Sequence, residues 1–207
     1  MKSNIFIFHG TGGYPEENWF PWLKGQLESE NCQITIPKFP HSKELFAEAC
    51  LKVVVPQFPS PERPILNDWL NKLDEYKEFI NENTILIGHS LGGLFLLRVL
   101  ERLETPVKAA IFVSASAGVK PIKFYQGDHD FSGGFDFDWG KIKKSASHFE
   151  VFHSDTDQMV CLGNGEELAK RLGVKLNVIP DAGHLNAKAG YTKFPELLNA
   201  INAILEK

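Results

Sequence analysis

A serine flanked by glycines is the strongest chemical signal in the sequence. Ser90 follows Gly88 and precedes Gly92 by two residues each, which fits the pattern G-x-S-x-G. In this pattern a sharp strand-to-helix turn strains the serine backbone, and the glycines let neighbouring chain segments pass close by. An apolar run at 84–87 and a leucine-rich run at 91–103 supply the strand and the helix. This context predicts a nucleophilic serine.

A serine hydroxyl needs a base to take its proton, and an acid must orient that base. When the order along the chain is nucleophile, acid, base, the acid follows one later strand and the base follows the next. Of the seven histidines, only His184 lies at the end of the last predicted strand, on a loop that contains Gly183. We therefore predict that His184 is the base.

Two aspartates compete for the role of the acid in the preceding loop. We favour Asp157 over Asp155, because Val160, three residues after Asp157, would anchor the loop in the core while the carboxylate turns toward His184. Asp155 would then cap a turn or help to position Asp157 without contacting His184. Asp181 is a further candidate, but its position three residues before His184 favours a local turn hydrogen bond.

The elements that position these residues alternate along the chain. Apolar runs such as 85–87 and 109–113 are typical of parallel strands buried on both faces. Their alternation with helical periodicity predicts an α/β fold with a mostly parallel sheet of about six strands and helices on both faces. The predicted strands span 4–9, 84–88, 107–113, 149–153 and 174–179, and the predicted helices 16–30, 66–80, 91–103, 165–172 and 194–205.

Two similar segments compete for the remaining strand. Residues 34–40 and 53–59 each consist of three β-branched residues followed by proline, a polar residue, phenylalanine and proline. Either copy fits the strand that precedes the helix at 66–80. The sequence leaves the choice open.

Length and composition exclude several classes of protein. The 207 residues, 43% hydrophobic and 23% charged, are typical of a globular chain, and we expect one domain over 1–207. A net charge of −4 argues against nucleic-acid binding. Three cysteines without a C-x-x-C pair argue against a disulfide framework or a cysteine zinc site, and no run approaches a membrane span of roughly 20 apolar residues. We expect a cytoplasmic protein without metal, cofactor or membrane contact.

Together these motifs resemble the small serine hydrolases of the YdeN and retinoblastoma-binding type, and the resemblance covers nearly the whole chain. It implies a compact α/β-hydrolase fold with a Ser-His-Asp triad, and the short chain leaves no room for a separate cap domain. The residues that carry it are His9-Gly10, the tryptophan-rich first helix with Trp19 and Trp22, Trp69 with Leu73, the turn at Ser90, the loop 154–160 and Gly183-His184.

The resemblance implies hydrolysis of a small carboxylic ester, or a related acyl substrate, through an acyl-enzyme. Two alternatives stay open: a catalytically weak binding or scaffolding protein on the same fold, and a peptidase or acyltransferase with the same triad. The family's animal member is linked to the retinoblastoma protein through an L-x-C-x-E motif. None of the three cysteines fits that motif, so the protein partner, if there is one, stays unknown.

Further site residues are expected around the serine. The backbone amides of Leu91 and Thr11 would form the oxyanion hole, which stabilises the negative oxygen of the tetrahedral intermediate. His89, Phe124 and Phe131 are predicted to contact substrate. Two long connections, 37–64 and 118–140, hold seven of the sixteen phenylalanines, and we predict that these rings form an apolar wall for the acyl group.

Overall fold

The computed structural model describes residues 3–27, 51–122 and 128–207. These ranges contain β1 (Ser3–Phe8), β2 (Leu51–Val54), β3 (Thr84–His89), β4 (Val107–Val113), β5 (Ala146–Ser154) and β6 (Leu176–Ile179). Their helices are α1 (Phe20–Leu27), α2 (Leu66–Asp74), α3 (Leu91–Leu100), α4 (Asp128–Ser132), α5 (Trp139–Ile142), α6 (Leu162–Leu172) and α7 (Pro195–Leu205). No helix within the described ranges is long and apolar enough to cross a bilayer.

The six strands form one sheet in the order β2-β1-β3-β4-β5-β6, and every neighbouring pair is parallel. The register places Ile87 between Ile7 of β1 and Ile111 of β4. This confirms the predicted α/β fold with a six-stranded sheet. Because all strands run the same way, the loops after β1, β3, β5 and β6 emerge at one edge of the sheet.

Alternating side chains divide the core between the two faces of the sheet. Phe6 and Phe8 of β1 point to the face that packs against α2, α3 and α6. Ile5 and Ile7 point to the opposite face, against α1 and α7. Successive residues of a strand face opposite sides of the sheet, so the apolar run at 5–8 in β1 requires helices on both faces.

The remaining strand includes the first two residues of the second copy of the near-repeat, Val53 and Val54. Residues Leu51–Val54 form β2 and pair with Ser3 to Phe6 of β1. The first copy, 34–40, lies outside the described residues. Phe58, four residues beyond β2, is fully buried and stacks on Trp69 with ring centroids 4.4 Å apart.

The helix predicted over 66–80 is observed only over Leu66–Asp74. Helix α2 ends at Asp74, and Tyr76 donates its amide to Leu73, three residues back, so the chain tightens. A 3₁₀ turn follows at Lys77–Phe79. The side chains of Asn4 and Thr84 both donate to the carbonyl oxygen of Phe79, which fixes the end of the turn against the sheet.

Candidate active site

Ser90 occupies a strained turn between β3 and α3. Its φ of 56° and ψ of −121° lie in a region that side-chain-bearing residues rarely adopt, and its amide donates to the carbonyl oxygen of Val113 at 3.0 Å. A Cβ atom on Gly92 would collide with the carbonyl oxygen of Phe8, and one on Gly88 with that of Gly92. The two glycines are therefore required for the turn to pass between β1 and α3.

An unbroken hydrogen-bond chain links three residues that the sequence singled out. His184 Nε2 lies 3.0 Å from Ser90 Oγ, and His184 Nδ1 lies 2.8 Å from Asp157 Oδ2. A carboxylate can only accept, so Nδ1 carries the hydrogen and Nε2 is left to accept from the serine hydroxyl. This tautomer is the one that a base acting on Ser90 requires.

The carboxylate of Asp157 is buried and held on both oxygens. Oδ1 accepts the amides of Met159 and Val160 at 2.8 and 3.0 Å, while Oδ2 faces His184. Burial acts to raise the pKa of Asp157, but the hydrogen bond and charge of His184 and the two amides outweigh it, so the pKa is lowered. The group is therefore an anion at neutral pH.

Neither of the other two candidate acids contacts the base. Asp155 Oδ1 accepts the amide of Asp181 at 2.9 Å, which ties the loop after β5 to the loop after β6. Both residues are exposed, and their hydrogen bond lies outside the Ser90–His184–Asp157 chain.

His89 contacts the backbone of His184. Its Nε2 donates to the carbonyl oxygen of His184 at 3.1 Å, and its ring packs against Trp19 and Phe20 with centroids 6.2 Å away. Burial, followed by the nearby charge of His184, lowers the pKa of His89 to about 3. Only 3% of the residue is exposed, but it forms part of the cleft wall beside Ser90, so its contact with substrate stays a prediction.

His153 is a neighbour of the site that the sequence did not indicate. Its Nε2 donates to the carbonyl oxygen of Val160 at 2.8 Å and lies 3.6 Å from Asp157 Oδ2. Burial lowers the pKa of His153, so the ring is neutral. The available signal was a histidine at the end of the predicted strand 149–153, a position that is equally typical of a structural residue.

The loop after β1 approaches the serine closely. A Cβ atom on Gly10 would lie 3.0 Å from the Cβ of Ser90. The amides of Gly12 and Gly13 donate to the carbonyl oxygens of Pro61 and Gly10, which leaves them unavailable to a substrate. Leu91 is the first residue of α3, directly after the serine. These placements are compatible with oxyanion donors at Thr11 and Leu91, which stay predictions.

His9 fixes the shape of this loop. Its Nδ1 donates to the carbonyl oxygen of Gly10 at 2.9 Å, and its Nε2 accepts the amide of Phe58 at 3.2 Å. Burial lowers the pKa of His9 to about 4, so the ring is neutral at pH 7 and keeps both bonds.

Ser90 opens into a cleft of about 1130 Å³. Its wall includes the apolar side chains of Leu94, Ile122 and Met159, and also the carboxyl groups of Glu17 and Glu62. Burial raises the pKa of Glu17 to about 7, against the opposing effects of hydrogen bonds to Tyr14 and Asn18 and the charge of Lys188. The cleft therefore offers both an apolar and a polar surface to a bound molecule.

Phe131 was predicted to form part of an aromatic wall of the cleft, but it packs in the core instead. Phe131 is fully buried against Trp69 and Phe95, with ring centroids 5.1 and 6.1 Å away, and does not line the cleft. Arg98 donates to the carbonyl oxygens of Phe131 and Ser132 at 2.9 and 2.7 Å, which fixes this segment on the core. Phe124 lies outside the described residues. The rings fill the space over α3 because apolar burial there stabilises the fold.

Among the described residues, no group of three His, Cys, Asp or Glu side chains is arranged to hold a metal ion. The described site brings together a serine hydroxyl, an imidazole, a carboxylate and backbone amides.

Comparison with known proteins finds relatives that match nearly the whole chain. A model of the serine hydrolase family matches residues 5–203. YdeN of Bacillus subtilis is 30% identical over 207 residues, covering 100% of this chain and 98% of YdeN. The serine hydrolase RBBP9 of Rattus norvegicus is 29% identical over 204 residues, covering 99% of this chain and 95% of the relative.

Solved structures agree with the observed fold. The crystal structure of the ydeN gene product of B. subtilis superimposes with a TM-score of 0.81 at 28% identity and covers 100% of both chains. Est1E from Butyrivibrio proteoclasticus gives a TM-score of 0.65 at 17% identity, covering 99% of this chain and 86% of its own. At that identity the second likeness concerns the fold alone.

Proposed function

The chain belongs to the serine hydrolase family, and we propose that it hydrolyses small carboxylic esters through Ser90, His184 and Asp157. The observation that carries the proposal is the continuous hydrogen-bond chain, 3.0 Å from Ser90 Oγ to His184 and 2.8 Å from His184 to Asp157. These distances are within the reach that proton transfer needs.

In the first half of the reaction, His184 Nε2 takes the proton of Ser90 Oγ as the oxygen attacks the ester carbonyl carbon. The carbonyl oxygen becomes an oxyanion, for which the amides of Leu91 and Thr11 are the proposed donors. Asp157 stabilises the imidazolium and keeps Nδ1 protonated. When the tetrahedral intermediate collapses, the alcohol leaves with the proton from His184 Nε2, and an acyl-enzyme ester remains on Ser90.

In the second half, His184 Nε2 takes a proton from a water molecule, and the hydroxide attacks the acyl carbon. Collapse of the second intermediate returns the proton to Ser90 Oγ and releases the carboxylic acid. The open cleft gives this water access to the acyl group.

The apolar side chains of Leu94, Ile122 and Met159 support a short acyl group as the bound part of the substrate. The proposal of an ester rests on this surface and on family membership. Hydrolysis of p-nitrophenyl acetate and butyrate, with the matching p-nitroanilides, tests it. We expect turnover of the esters and little of the anilides, whereas comparable anilide turnover would indicate a peptidase.

Ser90→Ala should lower ester turnover by about 10⁴-fold or more, because the nucleophile is lost. Ser147→Ala is the matched control, since Ser147 is exposed on β5 and is not part of the cleft wall. Equal activity of the two variants would overturn the assignment of the nucleophile.

A further inference from the structure

The loop that carries His184 has an unfavourable backbone conformation. Asp181, Gly183 and Leu185 have φ values of 54°, 53° and 48°, so every second residue from 181 to 185 lies in the left-handed region. Residues with side chains avoid this region, and they stay in it only when surrounding contacts hold them there. The position of His184 therefore depends on groups outside its own loop.

Three consecutive side chains, at the end of β5 and in the loop that follows it, supply such contacts. The amide of Ala182 donates to Ser154 Oγ at 3.0 Å, that of Asp181 to Asp155 Oδ1 at 2.9 Å, and that of Gly183 to Thr156 Oγ1 at 3.1 Å. We call Ser154, Asp155 and Thr156 the amide clamp. The three amides that it binds are the three that directly precede His184.

The clamp is internally connected and continuous with the acid. Ser154 Oγ also accepts the amide of Thr156 at 3.2 Å and lies 3.2 Å from Thr156 Oγ1. The next residue, Asp157, receives His184 Nδ1. Four consecutive residues, from Ser154 at the end of β5 to Asp157, thus hold four consecutive residues after β6, which fixes both partners of the acid–base pair.

Resting on the proposed function, we propose that the amide clamp positions His184 between Ser90 and Asp157 and that the rate of ester hydrolysis depends on it. The clamp residues are positioning residues, because they bind the backbone of the base loop and not the reacting atoms. A base displaced by a fraction of an ångström loses its alignment with the serine hydroxyl while the substrate surface stays intact. The rate constant kcat should therefore fall while KM stays nearly constant.

Asp155→Ala is the cleanest test, because Asp155 is exposed and absent from the cleft wall. We expect kcat for p-nitrophenyl acetate to fall about tenfold, less than the roughly hundredfold that a 1 Å misplacement causes, with KM and the melting temperature nearly unchanged. Asp155→Asn keeps an acceptor oxygen and should restore kcat. Asp74→Ala, which removes an exposed acid on α2, should match the parent protein.

Thr156→Val provides an independent test that does not change the charge. It removes the acceptor of the Gly183 amide from an exposed side chain of nearly the same shape, so we expect a similar fall in kcat. Thr156→Ser keeps the oxygen and should retain activity, and Thr105→Val is the control at another exposed threonine. Because Thr156 also lines the cleft, the ratio of kcat in the Val and Ser variants is the decisive quantity.

The failure of this inference differs from the failure of the proposed function. Normal turnover in the parent, with unchanged kcat in both Asp155→Ala and Thr156→Val, would overturn the clamp and leave the hydrolase intact. A lower melting temperature without a change in kcat would likewise assign the clamp to folding alone and overturn the inference. No turnover of any ester by the parent would overturn the proposed function and, with it, the role of the clamp.

Discussion

Asp157 is held in place by hydrogen bonds to both of its carboxylate oxygens. Its two oxygens accept from His184 Nδ1 and from the amides of Met159 and Val160, and the carboxylate is buried. The acceptor oxygens and negative charge of Asp157 therefore matter more than its shape, because an amide side chain in its place would present a donor to His184.

Replacing Asp157 by Asn should lower kcat for ester hydrolysis by about 10⁴-fold. The Asn side chain has nearly the same shape, but it favours the tautomer of His184 with the hydrogen on Nε2, which cannot take the serine proton. Steady-state hydrolysis of p-nitrophenyl acetate measures the loss.

Asp155→Asn is the matched comparison, two residues away in the same loop. It keeps the acceptor for the Asp181 amide and should retain most of the activity. If the two Asn variants lost activity equally, Asp157 would not be the unique acid of the pair.

The sequence predicts the positions of some site residues but not of others. Ser90 and His184 can be located because each lies in the turn or loop that follows a strand, and parallel strands bring such positions to one end of the sheet. His153 escapes prediction because a histidine near the end of a strand gives no sign that the carbonyl oxygen of Val160, in the following loop, comes within hydrogen-bond distance of its ring. The prediction for Phe131 is wrong because an aromatic residue in a long connection can serve the core or the cleft equally well, and only the packing on Trp69 decides.

At the scale of elements, the turn between β3 and α3 is the part most tightly constrained. Gly92 faces the carbonyl oxygen of Phe8 at the end of β1, and Gly10 faces Ser90 itself. The loop after β1 and the start of α3 are therefore positioned by direct backbone approach. The spacing of the glycines predicted this turn, whereas the exact ends of α2 depended on contacts from Asn4 and Thr84 that lie far away in sequence.

Gly92→Ala should destabilise the protein by about 3 kcal/mol or more and abolish ester hydrolysis, because the new methyl group would collide with the Phe8 carbonyl. Urea unfolding gives the free energy of unfolding, and p-nitrophenyl acetate gives the activity.

Gly25→Ala in α1 is the control for this substitution. Among the described residues, no atom outside the adjoining residues and the backbone of α1 lies within 4 Å of the position that its new methyl group would occupy. Alanine is favoured over glycine within helices, so stability should rise by about 0.5–1 kcal/mol. Destabilisation of similar size at both positions would contradict the close-approach explanation.

At the scale of the whole molecule, three neutral histidines are buried around the candidate active site. Burial lowers the pKa of His9 to about 4, that of His89 to about 3 and that of His153 below its ordinary value. Each ring takes up a proton more readily in the unfolded chain. Their contribution to stability is therefore complete above pH 6.5 and is lost as the pH falls below it.

The free energy of unfolding should accordingly be about 2 kcal/mol lower at pH 5.5 than at pH 6.5. Each neutral histidine contributes in this direction. Glu17, whose pKa is raised to about 7, opposes them, because its proton-bound form favours the folded state as the pH falls. Its partial exposure weakens that opposition. Urea unfolding at the two pH values measures the difference.

Replacing His153 by Asn removes one of the three rings and should reduce the difference between the two pH values, whatever it does to stability at either one. His148→Asn is the control, because His148 is partly exposed beside Glu150. Stability that stays constant or increases on acidification would contradict the assignment of neutral buried histidines.

The central claim is that Ser90 is the nucleophile of a serine hydrolase. It is tested most directly by treating the folded protein with a fluorophosphonate and locating the adduct by peptide mass spectrometry. We expect one phosphonyl group on the peptide that contains Ser90, and no labelling of the Ser90→Ala variant. An adduct on a different serine, or equal labelling of the parent and the variant, would contradict the claim.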